Sequence, residues 1–143
     1  HVEYNGGLSN KFTFNNAYLA GITYAWTRKD YKGGFTVTPM FKYLDKKTNP
    51  ASWQLTGTWY YHFAGGLLTT SGFADLWSDR SFVDGKSNLV FITEPQLWLN
   101  LNKVEGVDPN FNLSVGTEVE ISHNFAISDK LTVNPTLAVK WTF

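Results

Sequence analysis

The sequence predicts an all-β protein, an antiparallel up-and-down β-barrel of the transmembrane kind, on three observations. Apolar and polar residues alternate with period two almost from end to end, and helical periodicity is nearly absent. Most strand-like segments run about 10 to 13 residues, where soluble strands cluster near about 5 or 6 and a tilted strand of about 9 to 11 crosses a bilayer core. The 143 residues include 6 Trp, 7 Tyr and 11 Phe, yet only 17% are charged, against roughly 25–35% at an ordinary soluble surface.

Taken in chain order, weaker strands at 1–5 and 16–27 come first. Next, Phe35, Val37, Pro39, Phe41 and Tyr43 alternate with Thr36, Thr38, Met40 and Lys42. Trp53, Leu55, Gly57, Trp59, Tyr61 and Phe63 then face away from Gln54, Thr56, Thr58, Tyr60 and His62. A weaker strand at 67–77 follows. Phe91, Thr93, Pro95, Leu97, Leu99 and Leu101 oppose Glu94, Gln96, Trp98, Asn100 and Asn102. Phe111, Leu113, Val115, Thr117, Val119 and Ile121 oppose Asn112, Ser114, Gly116, Glu118, Glu120 and Ser122. The last strand sets Leu131, Val133, Pro135, Leu137, Val139, Trp141 and Phe143 against Thr132, Asn134, Thr136, Ala138, Lys140 and Thr142, which makes eight strands. Polar turn clusters at Asn5 to Asn16, Arg28 to Gly34, Asp45 to Pro50, Ala64 to Gly66, Ser78 to Ser87, Lys103 to Asn110 and Ser128 to Lys130 separate them. Each is short enough for a hairpin, so sequence neighbours pair antiparallel as a meander in one domain, 1–143. Pro39, Pro95 and Pro135 cannot donate to a ladder and mark bulges or points near a rim.

Several function classes drop out. Twelve basic and 12 acidic residues leave no formal net charge, which argues against nucleic acid as a partner because phosphate binding needs clustered Lys and Arg. The absence of Cys excludes disulfides and thiol chemistry. No apolar run is long enough for a transmembrane helix. His1 begins inside a strand-like pattern, so the expectation is either a removed signal peptide or a chain that starts part-way through a longer protein. Catalysis is not expected: His62 and Asp75 fall near opposite ends of their strands, about 23 Å apart at 3.3 Å per residue, too far for a dyad. Neither a metal nor a cofactor is expected.

Alternation alone does not say which face meets water. A soluble barrel hides its apolar face, whereas a membrane barrel turns it to lipid between two aromatic girdles. Here the apolar faces are bulky and end in aromatics (Trp53, Tyr61, Phe63, Trp141, Phe143), while the polar faces are rich in Thr, Ser, Asn, Gln and Gly. The apolar side is therefore expected to touch hydrocarbon and the polar side to enclose water. Counting registers back from the turns puts Glu94, Glu118 and Glu120 in one interior cluster, beside Gln96, with Lys140 about one diagonal step away. That cluster reads either as a charged constriction favouring cations or sugar hydroxyls, or as a network bracing the wall. Lys42, Gln54 and Asp75 come out at similar heights near the other mouth. Tyr60, Phe73, Trp77 and Trp98 point inward, where rings either stack on flat polar solutes or fill a narrow interior.

The terminal Phe143, with Trp141 and Val139 on the same face, resembles the C-terminal recognition signal of bacterial outer-membrane barrels, which engages their assembly machinery. That resemblance implies a periplasmic rim at Phe143, extracellular loops around 6–15, 45–51, 78–88 and 126–130, and periplasmic turns around 28–34, 64–67 and 103–110. The run Phe91-Ile92-Thr93-Glu94-Pro95-Gln96-Leu97-Trp98-Leu99-Asn100, with Leu55-Thr56-Gly57-Thr58-Trp59-Tyr60, Ser71-Gly72-Phe73-Ala74-Asp75 and Leu113-Ser114-Val115-Gly116-Thr117-Glu118-Val119-Glu120, resembles the Tsx-like nucleoside-specific outer-membrane channel superfamily, in particular its Bacteroidota branch. The resemblance implies a barrel of about twelve strands of which this chain matches the C-terminal part, without its first strands. It also implies passive uptake of small polar solutes such as nucleosides across the bacterial outer membrane, with the lipid bilayer as surroundings. No motif fixes the family's nucleoside-site residues here. The alternative is a closed structural barrel serving as a subunit of a larger outer-membrane complex, since the interior of eight strands is just wide enough for side chains to fill.

Overall fold

The computed structural model describes residues 1–8, 13–45, 50–80, 87–125 and 129–142. It is all-β: β1 (Val2–Leu8), β2 (Thr13–Gly21), β3 (Tyr24–Thr27), β4 (Gly33–Leu44), β5 (Ala51–Phe63), β6 (Leu68–Arg80), β7 (Ser87–Thr93), β8 (Gln96–Asn100), β9 (Leu113–His123) and β10 (Leu131–Trp141). All belong to one antiparallel sheet, in the order β1-β2-β4-β5-β6-β7-β9-β10, with β3 paired to β4 and β8 to β6 and β9. The ten segments are the expected eight strands with two of them broken, and sequence neighbours pair throughout. β1 and β10 form the two edges, and among the described residues no ladder joins them.

Both breaks have a proline at their origin. Extending the β2–β4 register, in which Gly21 faces Met40, puts Ile22 opposite Pro39. Pro39 has no N–H to give, so the strand parts there while Ile22 N still donates to Pro39 O at 3.3 Å. Register is kept across the gap, since Tyr24 faces Val37. Pro95 separates β7 from β8 in the same way, again without a register shift against β6. Pro135 breaks nothing. It faces Val119, whose N–H donates the other way, to Pro95 O at 3.1 Å. The missing donor of Pro135 therefore falls on the outer edge of β10, the one kind of strand position where proline is cheap.

Several boundaries differ from the sequence expectation. β1 runs on to Leu8 and β2 begins at Thr13, so the first loop is tighter than Asn5 to Asn16. Leu101–Lys103 is a 3-10 turn rather than strand, and the strand expected from Phe111 starts at Leu113. The connection 101–112 is consequently longer than any at the opposite end. We call the side carrying the 3-10 turn Ala64–Gly66 the Gly65 end and the opposite side the Asp45 end.

The sheet is rolled. His62 on β5 and Lys140 on β10 line one recess, although the four strand spacings between them in a flat sheet would separate them by about 19 Å. Rolling buries one face without a second layer. Lys42 and Gln54 are only 7% and 5% exposed, while Leu137 and Val139 on the other face are 93% and 70% exposed. Two glycines permit the close approaches this needs. A Cβ on Gly72 would meet Glu94 O at 2.5 Å, and one on Gly116 would collide with Leu97 O and with the Trp98 indole.

Gly116→Val should therefore shift Trp98 and lower stability by about 1–3 kcal/mol, the usual cost of overpacking. A drop in the denaturant midpoint of the protein refolded in nonionic detergent would show it.

Candidate functional site

The inner face gathers nearly every residue that the sequence singled out. Because side chains alternate, the registers put Lys42, Gln54, Tyr60, Phe73, Asp75, Trp77, Gln96, Trp98, Glu118, Glu120 and Lys140 on one side of the sheet. The Glu94 carboxylate, in the break before β8, accepts from Gln96 Nε2 at 2.7 Å and so turns to the same side.

Toward the Asp45 end the expected trio is joined as a relay. Lys42 Nζ donates to Gln54 Oε1 at 3.0 Å, Gln54 Nε2 to Thr56 Oγ1 at 3.1 Å, and Thr56 Oγ1 to Asp75 Oδ1 at 2.5 Å. The Lys42 ammonium also sits 4.6 Å from the Trp77 ring centroid, a cation–π contact that helps hold a desolvated charge. Beside this relay lies an inward apolar cluster, Ala17, Leu19, Met40 and Leu44. Sequence reasoning missed it because the strand at 16–27 was weak and the inner face was expected to be polar.

Midway, Trp98 Nε1 and Ser71 Oγ both donate to Gln96 Oε1, at 3.1 and 3.0 Å. Gln96 faces Glu118, and the same register brings Glu94 level with Glu120, as the sequence implied. Asn134 Nδ2 donates to Glu120 Oε1 at 3.2 Å. Lys140 is displaced from its expected place. It faces Ser114, whereas Glu118 faces Thr136, so the two stand about 13 Å apart along the strand. The Lys140 ammonium instead lies 4.3 Å from the Trp98 ring centroid. Among the described residues no group of three His, Asp or Glu is placed to hold a metal.

At the Gly65 end a recess of about 730 Å³ opens between the ends of β5, β6, β8, β9 and β10, and Lys32, His62, Lys103, Asn112 and Lys140 contribute to its wall. His62 Nδ1 lies 2.7 Å from Thr69 Oγ1. His62 faces Thr69 while Asp75 faces Thr56, a separation of about 20 Å along β6. Lys32 and Lys103 were not singled out because they sit in turns, where no periodicity marks a direction, whereas Asn112, expected on the polar face of the strand from Phe111, lies just before β9. Nearby, the Arg28 guanidinium grips Asp30 at 3.1 and 3.2 Å. That hydrogen bond, then the Lys32 backbone N–H, hold the Asp30 carboxyl below its ordinary range.

The outer face carries two aromatic rows. Tyr4, Tyr18 and Tyr43 lie level across β1, β2 and β4, with Phe41 beside Trp53. Trp26, Phe35 and Trp59 lie level nearer the Gly65 end, with Tyr61, Phe63 and the edge-to-face pair Phe111–Trp141 at 5.4 Å. Of the expected interface aromatics, Trp53, Tyr61, Phe63 and Trp141 are exposed on this face, and Phe143 lies outside the described residues.

Gln54→Leu removes a partner from a buried ammonium and should cost about 1–3 kcal/mol. Lys42→Met in the same chain should recover part of that loss. Denaturant midpoints of the two singles and the double give the coupling, and strict additivity would mean that the relay holds nothing together.

Neither the curated proteins nor the solved structures compared with the chain contain a match. A family model does match, over residues 1–143. The chain belongs to that family, DUF5020, a domain of unknown function.

Proposed function

We propose that this chain forms, alone or with further strands, an outer-membrane β-barrel channel that lets small polar solutes such as nucleosides diffuse across the bacterial outer membrane. One observation carries the reading: burial is reversed. Leu55, Leu97, Val133, Leu137 and Val139 are exposed while Thr38, Lys42, Gln54, Thr69, Ser114 and Ser122 are buried. In water that arrangement forfeits the hydrophobic driving force; in a bilayer it is the expected one. Dimensions support it. On β4 the two aromatic rows are eight residues apart, Phe35 to Tyr43, about 26 Å along the strand and about 20 Å along a barrel axis at 40° tilt, close to the roughly 25 Å band of such barrels.

Inside the barrel the wall offers hydroxyls, amides and the rings of Tyr60, Phe73, Trp77 and Trp98, a lining suited to flat, neutral, hydrogen-bonding solutes. The nucleoside expectation and Tsx-like kinship rest on the sequence resemblance. The expected partners are the lipid bilayer and, through the last strand, the outer-membrane assembly machinery. The reading involves neither catalysis nor a cofactor.

A second reading, the closed structural barrel within a larger outer-membrane complex, is favoured by the apolar cluster Ala17, Leu19, Met40 and Leu44, which occupies interior space at the Asp45 end. Liposome swelling decides between the two. The channel predicts flux of nucleosides and small sugars, and a tight barrel without flux would leave the structural reading.

The membrane assignment has its own test. Leu97 and Leu137 are level, both facing Thr117, between the aromatic rows. Leu97→Arg or Leu137→Arg should each cost about 2–4 kcal/mol in lipid vesicles, while Thr136→Arg, on the inner face, should cost far less. Equal tolerance at the three positions would remove the case for lipid contact.

A further inference from the structure

We infer that the recess at the Gly65 end is a binding site for the phosphate group of a small soluble phosphate monoester. The inference goes beyond the channel reading, because binding can be measured whether or not anything crosses the protein.

The first argument is charge. Three lysines, Lys32, Lys103 and Lys140, and His62 contribute to the wall, and among the described residues no carboxylate does. The ion pairs of the described residues are His1–Glu3 and Arg28–Asp30, so none of the three ammonium groups has a described carboxylate within 4 Å. A chain of zero net charge thus concentrates a quarter of its 12 basic groups around one cavity. Concave walls of one sign focus the field and raise the local concentration of the opposite ion.

The second is hydrogen-bonding capacity. The Asn100 amide donates to Gly66 O and Thr69 Oγ1, at 2.7 and 2.8 Å, and its carbonyl accepts from Ser114 Oγ at 2.8 Å. Asn102 Nδ2 takes up Asn112 Oδ1 at 3.0 Å, which leaves the Asn112 amide N–H groups for a guest. Thr69 Oγ1 accepts from Asn100, so its own proton is available to His62 Nδ1. The Asn112 amide N–H groups and the three ammonium groups thus stand as the wall's donors toward a guest.

The third is shape. The lysines come from three separate stretches, the turn after β3, the turn after β8, and β10. Charges converging from several sides suit a tetrahedral oxyanion better than a planar carboxylate, and lysine binds phosphate as a point charge without a fixed plane. Lys140 is held in place over Trp98, 4.3 Å from the ring centroid. The volume, about 730 Å³, exceeds what inorganic phosphate needs and lies in the range of small-molecule pockets, so the phosphate can carry an organic group.

Titration of the full chain in nonionic detergent at constant ionic strength tests this, by calorimetry and by amide chemical shifts. Inorganic phosphate and ribose 5-phosphate should saturate one site and move the Asn112 and His62 signals, and ribose should not. The triple variant Lys32→Gln, Lys103→Gln, Lys140→Gln should weaken both ligands at least tenfold, while Lys130→Gln, at the Asp45 end, should leave them within twofold. Unchanged affinity in the triple variant, or equal binding of ribose, overturns the inference. So does binding confined to short-chain phosphatidic acid in mixed micelles, which would make the recess a lipid-headgroup site. Circular dichroism of the triple variant separates lost binding from lost folding, and liposome flux is scored apart from all of these readouts.

Discussion

A single sheet rolled with its polar side inward must satisfy every enclosed polar group from within, and the rest of this structure follows from that constraint. No second layer supplies partners. Among the described residues no buried side-chain nitrogen or oxygen is left without a hydrogen bond. The Lys42–Gln54–Thr56–Asp75 relay, the Gln96 hub shared by Ser71, Glu94 and Trp98, and the Asn100–Thr69–His62 chain are one solution repeated at three heights. Each links neighbouring strands, so the networks also tie the roll together. Half-satisfied versions would be worse than an apolar interior.

The three heights differ in character. Apolar side chains and a stacked ammonium occupy the Asp45 end, carboxylates and amides the middle, and lysines without a described carboxylate partner the Gly65 end. The two buried indoles each carry a lysine, Lys42 on Trp77 and Lys140 on Trp98, so the aromatic groups that the sequence directed inward act first on the protein's own cations. A solute that stacked on either ring would have to displace an ammonium group. The rings therefore favour guests that can replace that charge or tolerate it.

The architecture was legible wherever alternation was strong. Residues 35–43, 53–63 and 131–141 read cleanly because, Gly57 aside, each outward position is large and apolar and, Met40 aside, each inward one is small or polar, and the same parity puts Gln54, Asp75, Gln96, Glu118 and Lys140 on one face. Heights were harder to read. Lys140 was put near Glu118 because the length of the 124–130 connection, and hence the β9–β10 register, cannot be counted from polarity alone. The apolar cluster around Leu19 and Met40 escaped for a different reason. A large apolar residue on the inner face inverts the local pattern and weakens the strand signal instead of announcing a core. The recess was invisible because Lys32 and Lys103 belong to turns, whose directions are set by backbone geometry such as the positive φ of Tyr31, Ala64, Gly65 and Gly106.

The proline in β10 makes its mark outside the chain that contains it. Its absent N–H faces away from β9, so any segment zipping onto this margin meets a missing rung opposite Pro135, with rungs restored on either side at Val133 and Leu137. The newcomer's carbonyl at that point would stay unanswered, a penalty that grows as water is withdrawn. Such a seam would be the line along which the wall parts most readily, and its register is marked in advance by the gap.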